Sequence, residues 1–115
     1  MELRRELMRG AGPAAVLQLL NKRDMYGYEL AEALTQRSDG VLAMGQSTLY
    51  PLLYSLEAKR LVASRWVELK SGRKRRYYHL TERGSAVLEQ HRHGWQQLFE
   101  AMVSLGLVTP IAVEG

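Results

Sequence analysis

The sequence predicts a mainly α-helical fold with one small β-hairpin. Apolar residues recur at helical spacing, most clearly at Leu49, Leu52, Leu53 and Leu56. Two runs rich in strand-forming residues flank a short turn near residue 72. A length of 115 residues, of which 46% are hydrophobic and 24% charged, suits one globular domain and is too short for two separate cores.

The first 22 residues predict two short helices. The first covers residues 2–8. Gly10, Gly12 and Pro13 end it, since glycine weakens a helix and proline removes a backbone donor. Pro13 suits the first position of a new helix, which continues to about Lys22.

A third helix follows a turn at residues 23–25. It opens at Tyr26, and the triplet Ser38-Asp39-Gly40 ends it because these residues favour turns. Residues 41–45 form a linker with room for a very short strand.

The next helix carries the leucine stripe and has an unusual outer face, which offers hydroxyls and rings where a solvated helix would carry Lys and Glu. The residues of that face are Ser47, Pro51, Tyr54 and Ala58, flanked by Thr48, Tyr50 and Ser55. Because proline inside a helix costs about 3 kcal/mol, we place the helix start at Ser47 or Thr48, with one hydroxyl as N-cap. The helix ends near residues 59–60. Its outer face predicts close contact with a polar partner.

The two strand-like runs, 61–69 and 76–80, predict a two-stranded hairpin, here named the wing, with Ser71-Gly72 in its turn. Segment 59–76 has eight basic residues against one acid, whereas the rest of the chain has eight against eleven. Those basic residues are Lys59, Arg60, Arg65, Lys70, Arg73, Lys74, Arg75 and Arg76. This concentration predicts a phosphate-binding surface. The alternative is a solvated hairpin that only favours solubility.

A long final helix begins after Thr81, its predicted N-cap, and Thr109-Pro110 stops it. Its seam, spaced alternately by four and three residues, is Gly84, Leu88, His91, Trp95, Leu98, Met102 and Leu105. The N-terminal part of the chain is too small to cover an apolar seam of this length. The seam therefore predicts packing against a second copy of the chain. The alternative is a helix lying back on its own domain.

These elements together predict a winged helix-turn-helix with a C-terminal dimerisation helix. The predicted organisation is a DNA-binding domain over 1–80, a dimerisation helix over 81–108 and a loose tail over 109–115. A hydroxyl-rich helix followed by a basic hairpin is the arrangement with which such a domain meets DNA.

The sequence resembles the PadR family of bacterial transcriptional regulators along nearly the whole chain. The resemblance is carried by Tyr26-Gly27-Tyr28-Glu29-Leu30, by Ser47-Thr48-Leu49-Tyr50-Pro51-Leu52-Leu53, by Leu56-Glu57, Leu61-Val62 and Trp66, and by the segment from Arg76 to Gly84. The short C-terminal helix looks like the compact subgroup of that family. The chain departs from the family in two respects: basic residues are frequent where Tyr54 and Ser55 stand, and glycine is usual where Arg60 stands.

This resemblance implies a homodimer, usually a repressor, on a palindromic operator of double-stranded DNA. It also implies a recognition helix in the major groove and a wing near the adjacent backbone or minor groove. Many members release DNA when a small aromatic or planar hydrophobic compound binds. If the fold is the same, Arg60 has to adopt the left-handed conformation that glycine usually supplies.

The predicted DNA-binding residues lie on the hydroxyl-rich helix and on the wing. They are Ser47, Thr48, Tyr50, Tyr54, Ser55, Lys70, Arg73, Lys74 and Arg75. Hydroxyls and rings would contact base edges and phosphates, and the wing cations would contact phosphates or the minor groove. Arg76 is left open, and Lys59 and Arg60 are of second rank. The alternative for Tyr50 is core packing, and for Tyr54 a contact within the dimer.

The predicted effector site centres on Trp95, because its position on the seam places it near its twofold mate. Two facing indoles would sandwich a flat apolar molecule. Gly94, beside Trp95, would remove bulk and so allow the two facing helices to approach closely. Leu7, Met8 and Leu98 would form the walls of the effector site. The alternative is that Trp95 simply fills the dimer core.

Several functions are disfavoured by what the sequence contains. It has no cysteine, and His91 and His93, two residues apart on a helix, point to different sides and so make a poor metal pair. No grouping of Ser, His and an acid and no glycine-rich phosphate loop indicates an enzyme or a cofactor. No membrane segment or secretory signal is recognisable, so a cytoplasmic location is expected. A winged-helix module that binds a protein, without operator specificity, is the alternative function.

Overall fold

A computed structural model of the protein describes residues 2–110, so the predicted tail over 109–115 lies mostly outside the described residues. The elements in chain order are α1 (Glu2–Lys22), β1 (Met25–Tyr26), α2 (Gly27–Arg37), α3 (Gln46–Ala58), β2 (Val62–Glu68), β3 (Lys74–Leu80) and α4 (Glu82–Ser104). The predicted mainly α fold with a small sheet and a long last helix is confirmed. No helix in the described part of the chain is long and apolar enough to cross a membrane.

The sheet has three antiparallel strands in the order β1-β3-β2. Met25 lies opposite Tyr78 and Tyr26 opposite Tyr77, so the prediction of a turn at residues 23–25 was wrong at Met25, and the predicted two-stranded wing gains a third strand. A strand of two residues is too short to show a period-2 pattern. β2 and β3 pair along their full lengths, from Val62 with Leu80 to Glu68 with Lys74.

Helix α1 is continuous, so the predicted break at Gly10, Gly12 and Pro13 was wrong. A glycine inside a helix costs only about 1 kcal/mol relative to alanine, and tertiary packing offsets this. Gly12 is buried, and a Cβ there would lie 3.0 Å from Cε of Met44 and 3.5 Å from a methyl carbon of Leu52. Glycine therefore lets α1 approach α3 closely.

Helix α3 begins at Gln46 with Gly45 as its N-cap, so the predicted cap at Ser47 or Thr48 was wrong. The backbone N–H groups of Thr48 and Leu49 both donate to the carbonyl of Gly45, at 3.1 and 3.0 Å, which starts the helix earlier than predicted. Pro51 consequently lies in the second turn, on the exposed side of the helix. Residues 41–42 complete a turn and residues 43–45 are irregular, so the short strand that was allowed for does not form.

The core lies where α1, α2, α3 and the sheet meet. Its buried residues are Val16, Leu17, Leu19, Leu20, Met25, Leu30, Leu34, Leu49, Leu53, Leu56, Leu61, Val62, Tyr78 and Leu88. The leucine stripe of α3 thus faces inward as predicted, with Leu52 half-buried beside it. This packing turns the hydroxyl-rich face of α3 outward.

Helix α4 begins as predicted, because Thr81 Oγ1 accepts a hydrogen bond from the N–H of Gly84 at 2.9 Å. It ends at Ser104, not at residue 108. Gly106, at φ 81°, takes the left-handed conformation, and its N–H donates to the carbonyl of Val103 at 2.9 Å. Glycine, rather than Thr109-Pro110, ends the helix, and Leu105 of the predicted seam lies at the cap.

Candidate nucleic-acid interface

The outer face of α3 presents the predicted hydroxyls and one ring. Ser47, Thr48, Tyr54 and Ser55 are exposed. Pro51 lies among them and adds no charge. The face is therefore polar and uncharged, and it stands on a fully buried stripe formed by Leu49, Leu53 and Leu56.

Tyr50 is half-buried and holds a different position from Tyr54. Its hydroxyl lies 2.7 Å from the point where a Cβ of Gly27 would stand, so the ring fits only because residue 27 is glycine. Tyr50 and Tyr54 stack with ring centroids 6.4 Å apart. The core-packing alternative for Tyr50 describes much of its surroundings, and Tyr54 is the ring that faces outward.

The wing exposes all four of its predicted contact residues, Lys70, Arg73, Lys74 and Arg75. The guanidinium carbon of Arg75 lies 4.4 Å from the ring centroid of Tyr26. Tyr26 in turn stands edge-on to Tyr77, at 5.4 Å between ring centroids. Cation–π contact of this kind holds Arg75 against the outer face of the sheet.

Two of the eight cations in segment 59–76 are paired with acids. Arg65 lies 2.7 Å from a carboxylate oxygen of Asp24, and Arg76 lies 2.8 Å from one of Glu57. The six others, Lys59, Arg60, Lys70, Arg73, Lys74 and Arg75, are exposed and form no ion pair with another described residue. The count of eight from sequence therefore overstated the charge that is available to a phosphate chain.

A cleft of about 290 Å³ separates α3 from the wing. Tyr50 and Tyr54 line it from the helix, and Trp66, Lys74 and Arg76 line it from the strands. Trp66 is 64% exposed, and the sequence analysis assigned it no role at the site. A signal was present, since strand alternation places Trp66 on the same face of β2 as the apolar Val62, the face expected to point toward the core and the helices. Tyr26 was likewise missed as the partner of Arg75, because that contact depends on β1.

The connection from α3 to the wing is a tight turn at Arg60, which has φ 63°. The N–H of Arg60 donates to the carbonyl of Glu57 at 2.9 Å, and the N–H of Leu61 donates to that of Leu56 at 3.0 Å. This is a Schellman motif with a non-glycine residue in the left-handed position. Arg60 does adopt the conformation for which glycine is usual.

A second concave region lies between α1 and α4. It is an open groove of about 500 Å³, and its walls include Ala11, Ala14, Leu88, Trp95 and Phe99. Trp95 is 42% exposed there. Gly10, rather than Gly94, faces the indole, at 3.9 Å from the point where its Cβ would stand.

The predicted walls of the effector site do not line this groove within one protomer. Leu7 and Leu98 are exposed outside it, and Met8 lines a separate depression beside Met44 and Thr48. The interpretation of Trp95 as an effector residue stays a prediction. In the described residues, no group of His, Asp and Glu is arranged to hold a metal ion.

The model of the PadR-like family of transcriptional regulators matches residues 16–90, from α1 through the wing to the first turns of α4. The chain belongs to the PadR-like family. The family consists of transcriptional regulators that bind DNA through a winged helix, and not of enzymes. The resemblance noted from sequence is confirmed.

Individual transcriptional regulators are similar over most of this chain. The transcriptional regulator YqjI of Escherichia coli is 31% identical over 85 residues, which are 74% of this chain and 39% of YqjI. A PadR family regulator from Eggerthella lenta is 31% identical with a TM-score of 0.79, covering 94% of this chain and 92% of its own. A PadR-like regulator from Bacillus cereus is 25% identical with a TM-score of 0.78, covering 90% and 99%.

Proposed function

We propose that this PadR-like protein is a homodimeric repressor that binds a palindromic operator and is released by a small planar hydrophobic effector. It acts in the cytoplasm, where its DNA target lies. The observation that carries the DNA-binding part is the adjacency of two surfaces: the exposed hydroxyl and aromatic face of α3, and a wing with four exposed cations. Both surfaces border one cleft, so one duplex reaches both.

The two surfaces have different roles in this proposal. Ser47, Thr48, Tyr54 and Ser55 contact base edges and nearby phosphates in the major groove, since hydroxyls serve either edge type and a ring packs on a thymine methyl. Tyr50 supports Tyr54 from the core side. Lys70, Arg73, Lys74 and Arg75 neutralise phosphates beside the adjacent groove, as exposed cations without an acidic partner do.

The wing assignment is tested by replacing Arg73, Lys74 and Arg75 with alanine. Each lost phosphate contact lowers the slope of log affinity against log salt by about 0.9, so the slope falls by two to three and retention on duplex DNA is lost at physiological salt. The matched control removes three exposed cations elsewhere, Lys22, Arg37 and Arg83, and should retain most of the slope.

The opposite result identifies the alternative function. If the wing variant retains DNA with an unchanged salt slope, the wing assignment fails. If the unaltered protein shows no sequence preference at all, the result favours the alternative function, a winged-helix module that binds a protein partner. The uncharged residues Tyr54 and Ser55 would then be its central feature.

The homodimer is supported by the outer half of α4. Trp95, Leu98 and Phe99 are 42%, 47% and 43% exposed, an apolar surface that is rare on a monomer. Covering it with the same surface of a second copy also brings two wings to one palindrome.

The effector part rests on the groove beside Trp95. Its lining combines apolar and aromatic residues with the polar side chains of Gln18, His91, Arg92 and Gln96, which suits a flat hydrophobic compound that carries a polar group. The test is quenching of Trp95 fluorescence in a Trp66→Phe background, with the hydrophobic aromatic dye anilinonaphthalene sulfonate as probe. Saturable quenching that Gly10→Leu abolishes supports the site, because that side chain would fill the space beside the indole. Quenching that is unaffected by Gly10→Leu contradicts it.

A further inference from the structure

Three polar side chains join α3, the recognition helix of the proposed function, to both strands of the wing. Ser64 Oγ donates to one carboxylate oxygen of Glu57 at 2.6 Å, and Arg76 Nη2 donates to the other at 2.8 Å. Arg76 Nε donates to Ser64 Oγ at 2.9 Å, which closes the ring of contacts. Glu57 comes from α3, Ser64 from β2 and Arg76 from β3, so every element of the interface contributes one member. We name this set the brace.

The brace differs from an ordinary surface ion pair. The Arg76 and Glu57 side chains are only 34% and 29% exposed, and both carboxylate oxygens are used. The Arg76 guanidinium carbon also lies 5.6 Å from the ring centroid of Tyr78 and 5.9 Å from that of Trp66. A sheltered network with several short bonds holds its geometry better than an exposed pair does.

The covalent link between the same elements is short and strained. α3 passes into β2 through Lys59, Arg60 and Leu61, with Arg60 in the left-handed region. That turn fixes one end of the wing, whereas the tip at residues 69–73 lies at the far end of the strands from the turn. The brace lies between the two ends, opposite the second half of α3.

We propose that the brace sets the distance and angle between the recognition helix and the wing, and that Arg76 is a positioning residue and not a phosphate contact. This rests on the proposed DNA-binding function. A helix in one groove and a wing at the next must fit one duplex at once, and small errors in the supporting residues loosen such a site. The brace therefore contributes to discrimination between operator and other DNA.

Glu57→Gln provides a test in which charge and geometry predict opposite signs. The change removes a negative charge beside DNA and leaves Arg76 without a charged partner, so electrostatics alone predicts tighter binding and a steeper salt slope. The brace predicts about tenfold weaker binding to the duplex that the unaltered protein selects from a random pool, with affinity for a scrambled duplex unchanged or higher. Glu68→Gln makes the same charge change at an exposed residue of β2 and should not weaken binding.

Two further variants keep the test informative if Glu57→Gln fails to fold, as judged by thermal unfolding. Ser64→Ala removes only the hydroxyl and should weaken selected binding about threefold. The exchange of Glu57→Arg with Arg76→Glu rebuilds the pair and should recover most of the affinity lost in either single variant. Recovery distinguishes a positioning role from a phosphate contact by Arg76, because the exchange places an acid at residue 76.

A readout without DNA separates the brace from the proposed function. The chain has no cysteine, so Gln46→Cys and Ser71→Cys accept spin labels on α3 and on the wing tip alone. Dilution of the labelled chain into excess unlabelled protein restricts the measurement to label pairs within one protomer of the proposed dimer. The brace predicts a narrow label-to-label distance distribution that broadens in Glu57→Gln. An unbroadened distribution, or selected binding that tightens with a steeper salt slope, overturns the proposal. Broadening in a protein that selects no DNA sequence would preserve the brace and refute the proposed function.

Discussion

Helices α3 and α4 carry similar apolar periodicity, but the structure covers them differently. In α3 the residues Leu49, Leu53 and Leu56 are buried by the protein's own head. In α4 only Gly84 and Leu88 are buried, and the seam beyond Trp95 is largely open. The radius of gyration, 15.9 Å, exceeds the roughly 13 Å of a compact domain of this length. The reason is that α4, here named the arm, extends from the rest of the protein, here named the head. The exposed face of α3 is polar and uncharged, whereas the exposed seam of α4 is apolar. The proposed function assigns the first to DNA and the second to another copy of the chain.

The largest effect is expected where the two regions join, at Gly84. A Cβ there would overlap the carbonyl oxygen of Leu61, a backbone atom that has little room to move. We expect Gly84→Ala to lower the free energy of unfolding by about 3 kcal/mol, measured by denaturant unfolding. Ser85→Ala, one residue further along and exposed, is the control and should change it little. Equal stability of the two variants would show that α4 is not seated on the head as described.

The next effect separates the arm from the head. Leu98→Glu places a charge on the open seam and should convert a dimer into a folded monomer, seen by analytical ultracentrifugation. Loss of the second DNA-binding head weakens operator binding by about 100-fold or more. Gln97→Glu adds the same charge on another face of α4 and should stay dimeric. A Leu98→Glu protein that remains a dimer would place the dimer interface elsewhere.

A smaller effect concerns the turn inside the head. Arg60→Gly relieves a left-handed conformation that costs a non-glycine residue about 1–2 kcal/mol, and the lost chain entropy of glycine offsets part of this. We expect a net gain of about 0.5–1 kcal/mol in the free energy of unfolding. Lys59→Gly, at φ −81°, gains no such relief and should be destabilised. If both substitutions lower stability equally, Arg60 is not strained.

The smallest effect is a dependence of head stability on alkaline pH. Burial raises the pKa of the Tyr78 phenol above its ordinary value of about 10. The unfolded chain therefore loses this proton first, and the stability contributed by neutral Tyr78 is complete below about pH 10 and is lost as pH rises toward the folded-state pKa. Denaturation midpoints at pH 8 and above pH 10 should diverge more for the unaltered protein than for Tyr78→Phe. If the midpoints of the two proteins differ between the two pH values by the same amount, Tyr78 does not contribute to the pH dependence of stability.

The sequence predicted those parts of the molecule that depend on local pattern. The inward leucines of α3 and the Thr81 cap were found as expected. The two wing strands also pair as predicted, although β3 begins at Lys74, two residues before the predicted start at Arg76. Strand β1 was missed because its pairing with β3 joins residues more than fifty positions apart. Helix α1 was wrongly divided, because packing against Met44 and Leu52 favours the glycine that propensity disfavours.

In the candidate interface, too, local pattern predicted exposed residues, whereas contacts between elements were not predictable from the sequence. Exposure of Lys70 and Arg73 follows from their place at the turn, and Lys74 and Arg75 are exposed at the start of β3. The pairing of Arg65 with Asp24 and of Arg76 with Glu57 needs the tertiary fold. Trp66 was recognisable as a family residue, yet its place in the cleft depends on how the sheet meets α3.

The most direct test of the central claim is a footprint of the purified protein on the genomic DNA upstream of its own gene, at two salt concentrations. We predict protection of an inverted repeat whose half-sites lie about one helical turn apart, with two protomers bound per site. The protection should weaken steeply with salt, and Leu98→Glu should lose it. Protection of a single half-site by one protomer, or sequence-independent protection alone, would contradict the division of the molecule into a DNA-reading head and a dimerising arm.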